Sequence, residues 1–233
     1  TLVLAMLFYS CNFDMNLGPG VRGNGNVTTE NRNIEGSFHS IQAAEGLDVY
    51  LTQGNSESVK VQADENLHDI ILTEVRDGVL HIHTDKNIAH SSAQKVMVEF
   101  DDIESIKSTS GSDVYSTNTI KANRITLKST SGSDMELDIE ANEIICKSTS
   151  GSDLRLSGST NRFSAESTSG SDIKASNLKA KICDARATSG SDITLYSSEE
   201  LTAKASSGGD ITYYGNPDKV NKSDGVSGSI RKH

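Results

Sequence analysis

The hexapeptide Ser-Thr-Ser-Gly-Ser-Asp occupies residues 108–113 and returns unchanged at 129–134, 148–153 and 167–172. Near copies follow as ATSGSD at 187–192 and SSGGD at 206–210. The motif glycines, Gly111, Gly132, Gly151, Gly170, Gly190 and Gly208, recur with a period of ~20 residues, the scale of a repeat architecture. Apolar residues alternate on both sides of each glycine. Three positions after it stand Val114, Met135, Leu154, Ile173, Ile193 and Ile211; five before it stand Ile106, Leu127, Cys146, Ala165, Ala185 and Ala203. From the second copy onward, Ile125, Ile144, Phe163, Cys183 and Leu201 lie seven before. The positions between are polar, with Lys107, Lys128, Lys147, Glu166, Arg186 and Lys204 each four before a glycine.

Period-2 alternation interrupted by Gly is the signature of half-buried strands joined at a sharp corner. One such unit cannot bury its own apolar face, but stacked units can, with each coil pairing in parallel with the next. The expected fold is therefore all-β: a right-handed parallel β-helix of ~20 residues per coil, with inward-facing aliphatic ladders. An earlier copy is hidden in SFHSIQAAEGLDVYL (37–51), which aligns with DIESIKSTSGSDVYS (102–116), Ile41 falling on Ile106 and Val49 on Val114. The first coil is thus 37–52, and a β-rich insertion at 53–100 separates it from repeat coils at 101–215. The insertion alternates too, with a hairpin expected at Arg76-Asp77-Gly78 and a short helix over 64–71. The tail 216–233 carries VSGSI, which reads as a vestigial last coil.

The N-terminal segment has a different character. TLVLAMLFYSC is a run of mostly apolar residues ending at Cys11, too short to span a bilayer, which needs about twenty. It reads as the apolar part of an export signal (1–11), with Cys11 the site of lipidation. Residues 12–32, rich in Asn and Gly, read as a flexible tether, and 33–233 as one solenoid domain. The expected location is the outer membrane, with membrane contact only through the lipid anchor. A formal charge of −10 and the lack of a basic cluster argue against nucleic acid as a partner.

The repeated aspartates, Asp113, Asp134, Asp153, Asp172, Asp192 and Asp210, with Asp48 ahead of them, are the candidate binding residues. Stacked coils lie about 4.8 Å apart. Adjacent carboxylates at that spacing repel by roughly 1 kcal/mol in water and ~3.5 kcal/mol at an effective dielectric of 20. Three forms of relief are open: bonds from the turn's backbone N–H groups, neutralisation by the Lys column across the corner, or Ca²⁺ bridging rungs such as Asp134 and Asp153. The leading reading is turn capping, ahead of a cation ladder; a catalytic role is set aside because an active site is one place whereas this motif runs the whole length. His81 and His83 share one side of a strand, read as a solvated face. Cys146 and Cys183 fall in different inward columns two coils apart, too far for a disulfide, and read as small core residues. The acid pairs Asp101-Asp102 and Glu199-Glu200 read as solvated turns.

The stretch F-x-x-I…G-L-D-V-Y-L-T-Q-G (38–54), V-x-A-D-E-N-L (61–67) and L-x-I (80–82), with the later coils, resembles the auto-transporter adhesin "head GIN" domain family of bacterial envelope lipoproteins. The resemblance covers roughly 23–215, although the eponymous Gly-Ile-Asn is here Gly46-Leu47-Asp48. It implies a β-helical, exported, often lipid-anchored protein and brings no catalytic residues. The functional expectation is a non-catalytic envelope lipoprotein with adhesin-like binding of a glycan or an envelope or host protein surface. The alternatives are a carbohydrate-active β-helix enzyme (polysaccharide lyase or hydrolase), which needs a local, non-repeating acid cluster, and a purely structural envelope component.

Overall fold

The computed structural model describes residues 19–233. In chain order the strands begin with β1 (Val21–Arg22), β2 (Val27–Arg32), β3 (Ser40–Ala43), β4 (Asp48–Gln53) and β5 (Ser58–Asp64). The insertion continues with β6 (Ile71–Arg76), β7 (Val79–Thr84), β8 (Ile88–His90) and β9 (Gln94–Phe100). The repeats supply β10 (Ser105–Ser108), β11 (Asp113–Ser116), β12 (Ile120–Thr130), β13 (Asp134–Thr149), β14 (Asp153–Thr168), β15 (Asp172–Thr188), β16 (Asp192–Ser206) and β17 (Asp210–Tyr214). The tail adds β18 (Lys219–Asp224) and β19 (Ser229–Lys232). β1 and β8 pair only with each other, and the remaining strands form a β-solenoid of about seven turns.

The register is the one the repeat dictates. Ile125 pairs with Ile144, Leu127 with Cys146, and Asp134 with Asp153, all in parallel. The hidden coil stacks as aligned, with Ile41 beside Ile106 and Asp48 beside Asp113. Every residue of the three apolar columns named above is buried. Beyond the corner at each motif glycine, the coils bend a second time. The ladder skips Asn123, Asn142 and Asn161, pairing Ala122 with Ala141 and Arg124 with Glu143 on either side. Burial alternation changes phase there, from Ile139 to Ile144. This bend adds an inward column at Ile120, Ile139 and Leu178 that the motif spacing did not single out.

The insertion is not a side excursion. β7 pairs in parallel with β3, Leu80 beside Ile41, and β9 with β4, Val96 beside Val49, so the two extend the stack by one more coil. Its outer edge is then covered by antiparallel strands: β6 on β7, and β5 on β9 with β2 beyond. The Asp77-Gly78 hairpin has φ of 51° and 74°, both left-handed, as a two-residue type I′ connection requires. Two expectations need correction here. The short helix over 64–71 is only a 3₁₀ turn at Glu65–Leu67. The proposed tether contains β1 and β2, and β2 pairs with β5 along its whole length, Val27 with Asp64 through Arg32 with Val59. Tethering fails over Val27–Arg32 because the strand's backbone groups have a partner in β5. Cys11 and the signal segment lie outside the described residues.

At the other end, β18 and β19 form the vestigial coil, with Ile230 beside Ile211. Its inward positions carry charge where earlier coils are apolar: Lys222 stands beside Ala203, Asp224 beside Ala205, and Lys232 beside Tyr213. Lys222 Nζ sits 4.8 Å over the Tyr213 ring. Inward charge of this kind stops strand addition and closes the stack.

Candidate functional site: the corner ridge and its flanking faces

Each corner is a four-residue turn such as Thr130-Ser131-Gly132-Ser133. Both central residues are left-handed, Ser131 at φ 59° and Gly132 at 69°, and the pattern repeats at Ser150-Gly151, Ser169-Gly170 and Ser189-Gly190. Nothing lies within 4 Å of a Cβ added at Gly132, so Gly is there for its φ and not for space. Backbone bonding continues around the corner from coil to coil: Gly132 N donates to Ser150 O at 3.1 Å, and Gly151 N to Ser169 O at 3.2 Å.

The serines that flank the turn point inward and are fully buried. Ser129 Oγ donates to Ser133 O at 2.8 Å and Ser133 Oγ to Thr130 O at 2.8 Å, with the two hydroxyl oxygens 2.9 Å apart. The same clasp joins Ser108 to Ser112, Ser148 to Ser152 and Ser167 to Ser171. A buried hydroxyl without a partner is costly, and here none lacks one. Within the turn itself the capping groups are these serines; the aspartates take backbone N–H groups between coils, Asp134 Oδ1 accepting from Asp153 N at 3.2 Å.

The aspartates instead form an outward ladder on the face after the corner. Asp153 Oδ2 is 3.3 Å from Arg155 and 3.1 Å from Lys174, and Lys174 also reaches Asp172 at 3.3 Å. Arg231 pairs with Asp210 at 3.1 Å. At Asp153, Asp172 and Asp210 relief therefore comes from cations two residues further along the same face. Among the described residues the column of Lys107, Lys128, Lys147, Arg186 and Lys204 makes no ion pair with these aspartates; Lys147 pairs with Glu166 at 3.1 Å. A Ca²⁺ ion bridging Asp134 and Asp153 would have to displace Arg155 and Lys174. No group of three metal-ligating side chains occurs among the described residues. At Asp113 the neighbours are Asp134, Asp48 and Tyr115; partial burial first, then Asp134 and Asp48, lifts its carboxyl above the usual range. Burial likewise lifts Asp48 against the pull of Lys95, and lifts Asp192 with help from Asp172 and Asp210. For Lys174, burial opposes the charge, but bonds to Asp153 and Asp172 outweigh it and the net shift is upward.

These differences make two rungs of the same column respond oppositely. Asp113→Asn is expected to raise stability near neutral pH by about 1 kcal/mol, the water-exposed Coulomb value. Asp153→Asn, which strips two exposed ion pairs, is expected to lower it by about 0–1 kcal/mol. The folded-state pKa of Asp113 lies above its ordinary value of 3.8, so the folded form binds the proton more tightly. That contribution is present at low pH and lost as pH rises through the interval above 3.8, so the gain from Asp113→Asn shrinks in acid. Thermal melts of both variants from acid to neutral pH check the sign.

The remaining sequence candidates are dispersed. His81 and His83 share the outer side of β7, with Leu80 and Ile82 buried behind them. Burial, then Arg76 and His83, holds His81 below its usual range, with Glu74 opposing. Cys146 and Cys183 are buried free thiols. Burial lifts Cys146 well above the ordinary thiol range and Cys183 to about 11, a bond from Ser197 opposing. Glu200 is paired with Lys219 at 2.7 Å, and Asp101 and Asp102 are exposed at the exit of the insertion. The faces carry aromatic contacts that spacing did not reveal: Tyr50 stacks on Tyr115 at 5.3 Å, Tyr214 on His233 at 4.5 Å, and Lys179 lies 4.1 Å over Tyr196.

A chain of stacked, in-register parallel coils with polar ridges belongs to the class of β-solenoid proteins. The profile of the family described as "Putative auto-transporter adhesin, head GIN domain" matches residues 37–217, and the chain belongs to that family. Its fold is also that of a "putative adhesin" from Bacteroides fragilis, at 21% identity and a TM-score of 0.85, covering 92% of this chain and 100% of that one. A "putative adhesin" from Parabacteroides distasonis is similar at 20% identity and a TM-score of 0.76, covering 91% and 99%. A "Putative lipid binding protein" from the same species aligns at 22% identity and a TM-score of 0.72, covering 91% and 99%. Among curated proteins none matches.

Proposed function

We propose that this chain is a non-catalytic cell-envelope lipoprotein that recognises a glycan or a protein surface through its outward solenoid ladders. The observation that carries the reading is the uniformity of those ladders. Charged and hydroxyl side chains stand in register along successive coils, while the motif that repeats is consumed by its own corner. A surface of this kind offers many equivalent weak contacts to an extended partner and no unique reaction centre. Membership of an adhesin family and the likeness to other adhesin-type solenoids support it.

Lipidation of Cys11 would hold the protein at the outer membrane. Among the described residues no helix is long and apolar enough to cross a membrane. Two measurements test the proposal. Metabolic labelling with palmitate should mark the protein and be lost in Cys11→Ser. The immobilised chain should retain ligands from arrays of glycans and from envelope and host surface proteins; retention of none would count against recognition. Screening acidic and neutral polysaccharides for product tests the enzymatic alternative, and any turnover would displace the binding role.

A further inference from the structure

The ridge hydroxyls bond one another, whereas those at the exit of the insertion do not. A cleft of about 570 Å³ opens where the chain leaves the insertion, between the segment at 102–105 and the start of β12. From the coil of β13 onward the chain arrives at this face around the second bend. In the coil of β10 it arrives from Asp101-Asp102 instead, so the Ile120–Arg124 end of β12 has no strand beside it on that side. The Gln53 side chain fills part of the gap. Its Nε2 donates to Asp101 O at 2.9 Å and Lys121 O at 3.0 Å, and its Oε1 accepts from Lys121 N at 2.7 Å. Beyond Lys121 that plug ends and the cleft begins at Asn123.

Three hydroxyls, Ser40, Ser105 and Thr126, stand in register along one wall. His39, Glu104 and Asn123 complete the lining. Among the described residues none of these six side chains makes a hydrogen bond within the protein, in contrast to every clasp serine on the ridge. Arg124 is tied through Nε to Glu143 at 3.4 Å, and Asp102 uses Oδ1 to accept from Ile103 N at 3.0 Å, leaving Oδ2 open. Free donors and acceptors therefore converge in a recess whose volume falls within the range of small-molecule sites, roughly 300–1,000 Å³.

We infer that this cleft binds the end of a neutral glycan, one or two sugar rings, as the local subsite of the recognition surface proposed above. Hydroxyl, carboxamide, imidazole and carboxylate groups together match a ligand that is donor and acceptor along its whole edge. The charge balance selects against acidic sugars: Glu143 already neutralises Arg124, which leaves Asp102 and Glu104 in excess. No broad aromatic or apolar wall is present, so affinity is modest, with Kd on the order of 0.1–1 mM.

The test is titration calorimetry of the full chain with lactose, maltotriose and mannobiose, and with glucuronic acid as the acidic probe. The inference expects at least one neutral saccharide to bind and glucuronic acid to bind at least about tenfold more weakly. Glu104→Gln and Asn123→Ala should each weaken the neutral ligand about fivefold or more, with melting unchanged because both side chains are exposed. Val226→Ser, on the exposed C-terminal coil and part of neither the ladders nor the cleft, should leave it unaltered. No binding of any neutral saccharide at about 10 mM, or binding indifferent to both cleft substitutions, overturns the inference. The inference rests on the recognition reading, and the two fail separately. A chain that adheres to a surface without binding these sugars keeps the ladders as the recognition element and loses the cleft; one that does neither loses both.

Discussion

Replacing Ser112, Ser133, Ser152 and Ser171 together by alanine is expected to remove about 4–8 kcal/mol of stability, at about 1–2 kcal/mol per lost clasp. Each of these hydroxyls is fully buried, donates to the backbone carbonyl three residues earlier and touches the hydroxyl four residues earlier. Removing it strands the Thr carbonyl inside the corner and leaves a void the size of one hydroxyl. The sum is comparable with the whole stability of an ordinary domain, about 5–15 kcal/mol. Because a solenoid's stability is a sum over neighbouring coils, the loss should show as separation of the transition into stages. Urea unfolding followed by far-ultraviolet circular dichroism reads both effects. A quadruple variant as stable as the parent would show that the corner is held by its backbone ladder alone.

The second large effect is at Gly158. This residue occupies the inward column of Ile120, Ile139 and Leu178 with φ at 109°, outside the left-handed basin that other residues tolerate. A Cβ built there would lie 2.1 Å from Ile139 O and 2.8 Å from Ile139 C, backbone atoms of the preceding coil. Gly158→Ala must therefore push two coils apart as well as adopt a strained φ. A destabilisation of about 3–5 kcal/mol is expected. Gly132→Ala meets no such atoms, and its penalty should be the conformational one alone, about 1–2 kcal/mol. Equal losses at the two positions would contradict this division between space and φ.

Much of the fold was legible because two periodicities agree. Residues such as Ile125, Leu127 and Met135 alternate around a glycine, and the same residues recur with the coil, so register follows without a structure. The insertion was harder. Leu80-His81-Ile82-His83 alternates identically whether the hairpin leaves the solenoid or joins it, and only the pairing with Ile41 and Ala43 decides. The bend at Asn123, Asn142 and Asn161 hid inside a continuous strand pattern, because a phase slip of one residue looks like noise in a single sequence. Val27–Arg32 read as tether since its partner, β5, lies some thirty residues away.

The candidate site was legible in position and only partly in role. Asp was the provocative letter of the motif, but the buried work falls to the two serines that flank the turn. A small polar residue between Lys and Thr is taken as exposed by default, and the clasp is visible only when Ser129 and Ser133 face each other. Asp153 finds Arg155 two residues on in its own coil, but Lys174 reaches Asp153 and Arg231 reaches Asp210 from the next coil, contacts that exist only after stacking. The cleft was out of reach altogether: His39, Glu104 and Asn123 are far apart in the chain and share no motif.

The central claim is that the repeated corner is a self-satisfied scaffold and that recognition lies on the faces and in the cleft. A thermal melt of the protein in EDTA and across a Ca²⁺ titration tests it most directly. The account predicts a melting temperature that does not move, because the clasps need no ion and Asp153 already holds Arg155 and Lys174. A melting temperature that climbs with Ca²⁺, and no longer does so in Asp134→Asn and Asp153→Asn, would contradict it and make the aspartate column a cation ladder.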